Sequence, residues 1–282
     1  MKPAGFEYAR PGSLDEVLRL LADNAGRGRL LAGGQSLGPM LNLRLATPEL
    51  VIDIGRLREL QRVEMADGAL VIGAGVCHAD IEDGRVPDVA GGLLRRVAAG
   101  IAYRAVRNRG TIGGSLAHAD PAADWPPVMI ALGAELYIAS ARGRRRVPAA
   151  EFATGVLATV LESDEMIEGI RIPRAAGALR WGYHKIAAKP GDFAESLAVV
   201  VTHKNGAGAR TVLAGRSQVP IVLSETGWAI AGVREWSSDQ NAAIAKALGG
   251  DLARQGVGGL SPEDRAIHLA CVSRAAREAV AP

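Results

Sequence analysis

Leu14, Val17, Leu18 and Leu21 recur at helical spacing behind Ser13-Leu14-Asp15-Glu16, which has the form of a capping box, and the pattern stops at Asn24-Ala25-Gly26. This predicts a first helix with one apolar face. Arg29 to Ala32 reads as a short buried strand running into Gly33-Gly34-Gln35-Ser36. Leu37 to Leu45 then reads as an irregular helix, and Leu50 to Ile54 as a second strand. From Gln61 to Gly75 the pattern changes to a hairpin about Asp67-Gly68, with Ala69 to Ile72 as a buried strand and a second subdomain beginning here. Leu93 to Ala99 has helical spacing. Arg104 to Ser115 is rich in Gly and Arg and follows neither period, so it is expected as a structured loop.

A helix is predicted from Asp124 and strands at Glu135 to Ile138 and Met166 to Ile172, with Pro173 to Ala178 as a linker. Beyond it, Arg180 to Ile186, Ser196 to His203 and Arg210 to Ala214 predict an antiparallel sheet, the last two strands joined through Asn205-Gly206, a strong hairpin signal. Asp239 to Leu248 and Pro262 to Val280 have helical spacing, the second with Ser261 as its N-cap. The last third is therefore expected to be a small α+β domain. No internal repeat or low-complexity tract interrupts the chain.

With 282 residues, 48% of them hydrophobic and 22% charged, the chain can bury a core without disulfides or metal. The net charge of +3 is small, and the densest basic run, Arg142 to Arg146, has no aromatic residues suited to stacking bases. It reads as a solvated hairpin turn rather than a nucleic-acid patch. Cys77 and Cys271 lie far apart without the clustering of a zinc or iron-sulfur site, and Cys271, three residues after His268, is better explained by packing. No segment has the length and apolarity of a signal core or membrane span, and the expected compartment is the cytoplasm.

Two glycine-rich segments carry the candidate chemistry: Ala32-Gly33-Gly34-Gln35-Ser36-Leu37 and Thr111-Ile112-Gly113-Gly114-Ser115. Each offers backbone N–H groups with little side-chain bulk, and Ser36, Thr111 and Ser115 add hydroxyls, the equipment for close approach to a diphosphate. Turns and bulges would account for either segment alone; the two together point to one ligand with two phosphates. Neither has the spacing of a dinucleotide-binding GxGxxG nor the Gly-Lys-Ser/Thr of a phosphate loop. Asp124, just ahead of a helix, reads as a cap or as an acceptor for ribityl hydroxyls, the cap being favoured on spacing. His118 has no identifiable carboxylate partner, which favours a structural role.

AGGQSL followed by a strand ending in Asp53-Ile54, then NRGTIGGSLAHADPAAD, then YHKIAAKPGDFA, in this order and spacing, resemble the medium, FAD-binding subunits of the molybdenum hydroxylases, such as those of carbon monoxide dehydrogenase and xanthine dehydrogenase. The resemblance implies a vanillyl-alcohol-oxidase-type, PCMH-like α+β fold. Two α/β subdomains, about 1–57 and 58–176, would grip FAD, and a C-terminal α+β domain at 177–282 would cover the flavin. Carried over by motif, Ala32, Gly33, Gly34, Gln35 and Ser36 would hold the diphosphate with Thr111, Gly113, Gly114 and Ser115, and Leu37 would adjoin them. Asp124 would meet the ribityl or phosphate region, Lys185 would lie near the isoalloxazine, and Ile101 and Leu161 would pack at the ring or its neighbourhood. Ser115 replaces an asparagine frequent in the family, and Lys189 an arginine.

The implied task is electron transfer. A large subunit would carry the molybdenum cofactor and a small one two [2Fe-2S] clusters, in a heterotrimer or its dimer, and this chain would pass electrons through FAD to an external acceptor. No catalytic side chain is expected of it. Two other readings stay open: a self-contained flavin oxidoreductase of the same fold, and an assembly module that has lost FAD.

Overall fold

The computed structural model describes residues 2–175, 177–203, 208–215, 219–233, 235–257 and 259–281. Its first unit consists of β1 (Glu7–Ala9), α1 (Leu14–Asp23), β2 (Gly28–Leu31), α2 (Leu37–Asn42) and β3 (Leu50–Asp53), with the strands in a parallel sheet ordered β1-β3-β2. Central β3 buries Leu50, Val51 and Ile52, and Ile52 packs with the apolar face of α1. The α1 cap differs in detail from a capping box. Ser13 Oγ accepts from the Glu16 N–H at 3.3 Å, but the Glu16 carboxylate accepts from the Gly12 N–H at 2.8 Å. β1, three partly exposed residues without alternation, has no signature in the sequence.

The second unit begins with β4 (Val63–Ala66) and β5 (Ala69–Gly73), whose turn places Asp67 and Gly68 at φ 47° and 69°, as a type I′ turn requires. It continues through α3 (His78–Glu82), α4 (Leu93–Ala99), α5 (Arg104–Arg107), α6 (Ile112–His118), α7 (Trp125–Leu132), β6 (Glu135–Ser140), β7 (Gly143–Pro148), α8 (Ala149–Phe152), β8 (Ala153–Gly155), β9 (Ala158–Thr159) and β10 (Met166–Pro173). In an antiparallel sheet, β4-β5-β10-β6-β7, strand β10 carries α6 and α7, and α3 and α4 join the same core around the fully buried Trp125, Leu93 and Met129.

One expectation is corrected here and another narrowed. Arg104 to Ser115 is not a loop: it contains α5 and the first turn of α6, with Thr111 as N-cap. Two adjacent glycines erase the local helical signal, and burial of Ile112 and Gly113 against the Ala74 region supplies what propensity lacks. Arg142 to Arg146 is exposed and belongs to the β6–β7 hairpin as expected, but only Arg142 lies in the turn, and Arg144, Arg145 and Arg146 lie on edge strand β7. Arg142 pairs with Glu162 and Asp164 at 2.8 Å, Arg144 with Glu168 at 2.7 Å and Arg145 with Glu165 at 2.7 Å. Charges of this kind discourage an edge strand from pairing with another chain.

The last unit holds β11 (Leu179–Ile186), β12 (Ser196–His203), β13 (Ala209–Gly215), β14 (Ile221–Val222), α9 (Ser224–Ile230), α10 (Ser238–Arg254) and α11 (Pro262–Val280). The Asn205-Gly206 turn lies outside the described residues. The sheet is antiparallel in the order β11-β12-β13-β14. Leu197, Val199 and Val201 of β12 enter the core of the second unit, whereas Ala198 and Val200 pack with Val272 and Ala276 of α11. Burial on both faces explains why β12 reads as an unbroken apolar run. Ser261 Oγ caps α11 by accepting from the Asp264 N–H at 3.1 Å. Among the described residues, no helix is long and apolar enough to cross a membrane.

Candidate cofactor site

The two glycine segments meet. A methyl group added to Gly33 would fall 2.0 Å from the carbonyl oxygen of Arg109, two residues ahead of Thr111, so only hydrogen at that position lets the backbones touch. The next residue, Gly34, has φ +74°, a left-handed conformation that costs other residues about 1–2 kcal/mol. Among the described residues, the N–H groups of Gly33, Gly34, Gln35 and Ser36 have no acceptor, and the Ser36 hydroxyl makes no cap bond although it opens α2. Gln35 Nε2 donates back to Gly33 O at 3.0 Å, and Leu37 begins α2 half-buried.

The second segment is built differently. Its amides are engaged: Ile112 N–H with Val76 O, Gly113 N–H with Ala74 O, Ser115 N–H with Thr111 O, each at 3.0 Å, and Gly114 N–H with Thr111 Oγ1, also at 3.0 Å. Thr111, Gly113 and Gly114 therefore act as a rigid wall at the start of α6, and the free donors of the pair are in the first segment. A Cβ on Gly114 would sit in ordinary contact with that of Ala32, at 3.9 Å, but only 2.9 Å from Thr111 Oγ1, the oxygen that accepts from the Gly114 N–H. Four unsatisfied amides and a hydroxyl on a loop opened by two glycines fit a diphosphate.

α6 rises about 10 Å at 1.5 Å per residue and leads through Ala119 to Asp124. Asp124 occupies the N-cap position of α7 but makes no side-chain cap bond, which corrects the favoured cap reading. Its carboxylate instead accepts from Lys185 Nζ at 2.9 Å and from the Tyr183 hydroxyl, both on β11. Burial pushes the Asp124 carboxyl up from the ordinary carboxylate range against the pull of Lys185, and burial with the adjacent carboxylate pushes the Tyr183 phenol well up. Lys185 also donates to Gly100 O at 3.1 Å, which sets it beside Ile101. Leu161 is half-buried after β9, its N–H donating to Thr159 Oγ1 at 3.3 Å within its own hairpin.

Three supporting residues were not read from the sequence. Arg107 donates to Ile101 O at 2.9 Å and Ala102 O at 3.0 Å while binding Glu82 at 2.8 and 2.9 Å, so with Lys185 it secures three consecutive carbonyls at the end of α4. His78 is buried, accepts at Nδ1 from Trp125 Nε1 at 3.1 Å, and abuts Gly110 behind the glycine junction. Tyr183 completes the Asp124 pair. Only a Tyr-x-Lys alternation, which puts both side chains on one face of a strand, hints at the last.

This constellation, a glycine cradle with free amides and a buried lysine–carboxylate pair beyond it, describes an FAD domain built from mixed α+β units. Residues 4–175 match the family described as the FAD binding domain in molybdopterin dehydrogenase, and the chain belongs to the FAD-binding subunits of the molybdenum hydroxylases, which are oxidoreductases. It is 41% identical over 206 residues to the carbon monoxide dehydrogenase medium chain of Hydrogenophaga pseudoflava, covering 73% of this chain and 72% of that one. To the caffeine dehydrogenase subunit beta of a Pseudomonas species it is 39% identical over 202 residues, 71% and 68% of the two chains. A solved carbon monoxide dehydrogenase from Hydrogenophaga pseudoflava aligns with TM-score 0.89 and 35% identity over 99% of this chain and 98% of that one. Quinoline 2-oxidoreductase of Pseudomonas putida aligns with TM-score 0.85 and 33% identity over 100% of both.

Proposed function

We propose that this chain holds FAD with its diphosphate in the Ala32 to Ser36 loop, backed by Thr111, Gly113, Gly114 and Ser115, and serves as the electron-transfer subunit of a molybdenum-dependent dehydrogenase. The observation that carries this reading is the run of acceptor-less amides from Gly33 to Ser36, set against a second glycine segment. Leu37 would adjoin the diphosphate, Asp124 would meet the ribityl or phosphate region, Lys185 would lie near the flavin ring, and Ile101 and Leu161 would pack at the ring or its neighbourhood. When bound, FAD takes up electrons singly and gives them up in pairs.

The tasks of the chain itself are to bind, to orient and to set charge. Two of the three Lys185 donors are engaged by Asp124 and Gly100, leaving one for an acceptor on the ring, where a cation favours negative charge arriving on reduction. The fork of Arg107 fixes the Ile101 backbone. The working domain limits are 1–176, with subdomains about 1–57 and 58–176, and 177–282.

The partners in this reading are a large molybdenum-cofactor subunit and a small subunit with two [2Fe-2S] clusters, in a heterotrimer or a dimer of heterotrimers. Relatives named as a medium chain and a subunit beta support a multi-subunit setting. The two free thiols, Cys77 and Cys271, agree with a reducing, cytoplasmic one. The test is a visible spectrum of the purified chain after FAD addition and gel filtration: flavin bands persist at one per chain, and Gly34→Val abolishes them. Equal flavin retention by that variant would remove the loop assignment.

A further inference from the structure

A diphosphate brings two negative charges, yet neither glycine segment contains a basic residue. Three arginines stand just ahead of the second segment: Arg104, Arg107 and Arg109. Arg104 is committed to Glu82 and Asp83, at 2.8 and 2.7 Å, and Arg107 to Glu82 and the α4 carbonyls. Arg109 differs from both. Its backbone carbonyl faces Gly33, its side chain is exposed, and among the described residues its guanidinium makes no ion pair or hydrogen bond.

Asp53, a carboxylate beside the first segment, is already occupied. Asp53 accepts from the Tyr8 hydroxyl at 2.5 Å and the Gly55 N–H at 2.9 Å, and Arg10 lies 3.7 Å away. Gly55 in turn lies against Ala32 O. The positive charge of Arg109 is felt at both Asp53 and Cys77, one on each side of the junction, from beyond ion-pairing distance. The residue whose carbonyl meets Gly33 thus carries an exposed, uncommitted guanidinium, next to the loop whose amides from Gly33 to Ser36 lack an acceptor.

We propose that Arg109 is the cation that neutralises the FAD diphosphate, reaching the first glycine loop from just ahead of the second segment. A guanidinium fork suits two adjacent phosphoryl oxygens and supplies charge where backbone amides supply only dipoles. The assignment rests on the two-loop reading above and adds to it the source of charge.

The test measures FAD affinity of the full-length apo-chain by flavin fluorescence at low and at 0.5 M salt, roughly the range over which screening shortens from about 10 Å toward 3 Å. The wild type should bind more weakly at high salt. Arg109→Gln should bind FAD about tenfold more weakly at low salt and lose most of that salt dependence, and Arg109→Lys should recover much of both. Wild-type affinity and salt response in Arg109→Gln, with Gly34→Val unable to bind, would overturn the role of Arg109 and leave the loop site standing. Unimpaired binding by both variants would overturn the loop site as well. Should Arg109→Gln not fold, a salt-insensitive wild-type affinity would by itself overturn the proposal.

Discussion

Lys185 Nζ lies 2.9 Å from Asp124 Oδ1, with side chains only 10% and 9% exposed, and so ties β11 of the last unit to the start of α7 in the second. Water cannot compensate either charge if the other is removed. Lys185→Met should therefore cost about 3–5 kcal/mol in urea denaturation, and Lys185→Met combined with Asp124→Asn clearly less. In the FAD-loaded chain Lys185→Ala should also lower the flavin midpoint potential. A loss below about 1 kcal/mol in the single variant would show that the pair is dispensable.

His78 should make stability depend on pH. Burial, helped by Arg107, lowers its imidazole to about 4, so the folded ring stays neutral where an unfolded one, near 6.5, takes up a proton. The unfolded state then binds more protons, and its share of the stability, full above 6.5, is lost as pH falls toward 4, at about 1.4 kcal/mol per unit. Denaturant midpoints at pH 7 and 5 should differ more in the wild type than in His78→Gln. An equal difference would assign the acid sensitivity to other groups.

Gly33→Ala offers a test of the junction apart from charge. Its methyl would collide with Arg109 O at 2.0 Å, so the two segments must separate. Bound flavin should fall to a small fraction while far-UV circular dichroism changes little, because the clash is confined to two loops. Full flavin occupancy would mean the close approach is not needed for binding.

The thiols should separate by burial. Cys271 is inaccessible, donates to His184 O at 3.1 Å, and burial pushes its thiol up to about 11. Cys77 is half-buried, with a more modest upward shift from burial and Asp80. A thiol reagent at pH 8 should label Cys77 slowly in the native protein and both cysteines after denaturation. Fast native labelling of Cys271 would contradict the packing of α11 on β11.

Features governed by neighbours in the chain were open to reading from residues alone. The spacing of Leu14, Val17, Leu18 and Leu21 behind Ser13 marks α1; Asp67-Gly68 marks the hairpin; Ser261-Pro262 marks the start of α11. The same holds for the two glycine segments as a pair, because few other residues tolerate such close approach, and for the family resemblance that their order carries.

Other features depend on partners distant in sequence. α6 forms across two glycines because Ile112 and Gly113 are buried against Ala74, and the arginines of β7 lie on a strand because its backbone pairs with β6, where Glu165 and Glu168 then come alongside. Asp124 turns from capping α7 to Lys185, and the amides of the second segment are consumed while those of the first stay open. Local sequence sets the backbone preferences and the supply of chemical groups. Which donors are left unsatisfied, and which charges find each other, depends on long-range packing, and in this protein that packing leaves the amides of Gly33 to Ser36 without an acceptor while it engages those of the second segment.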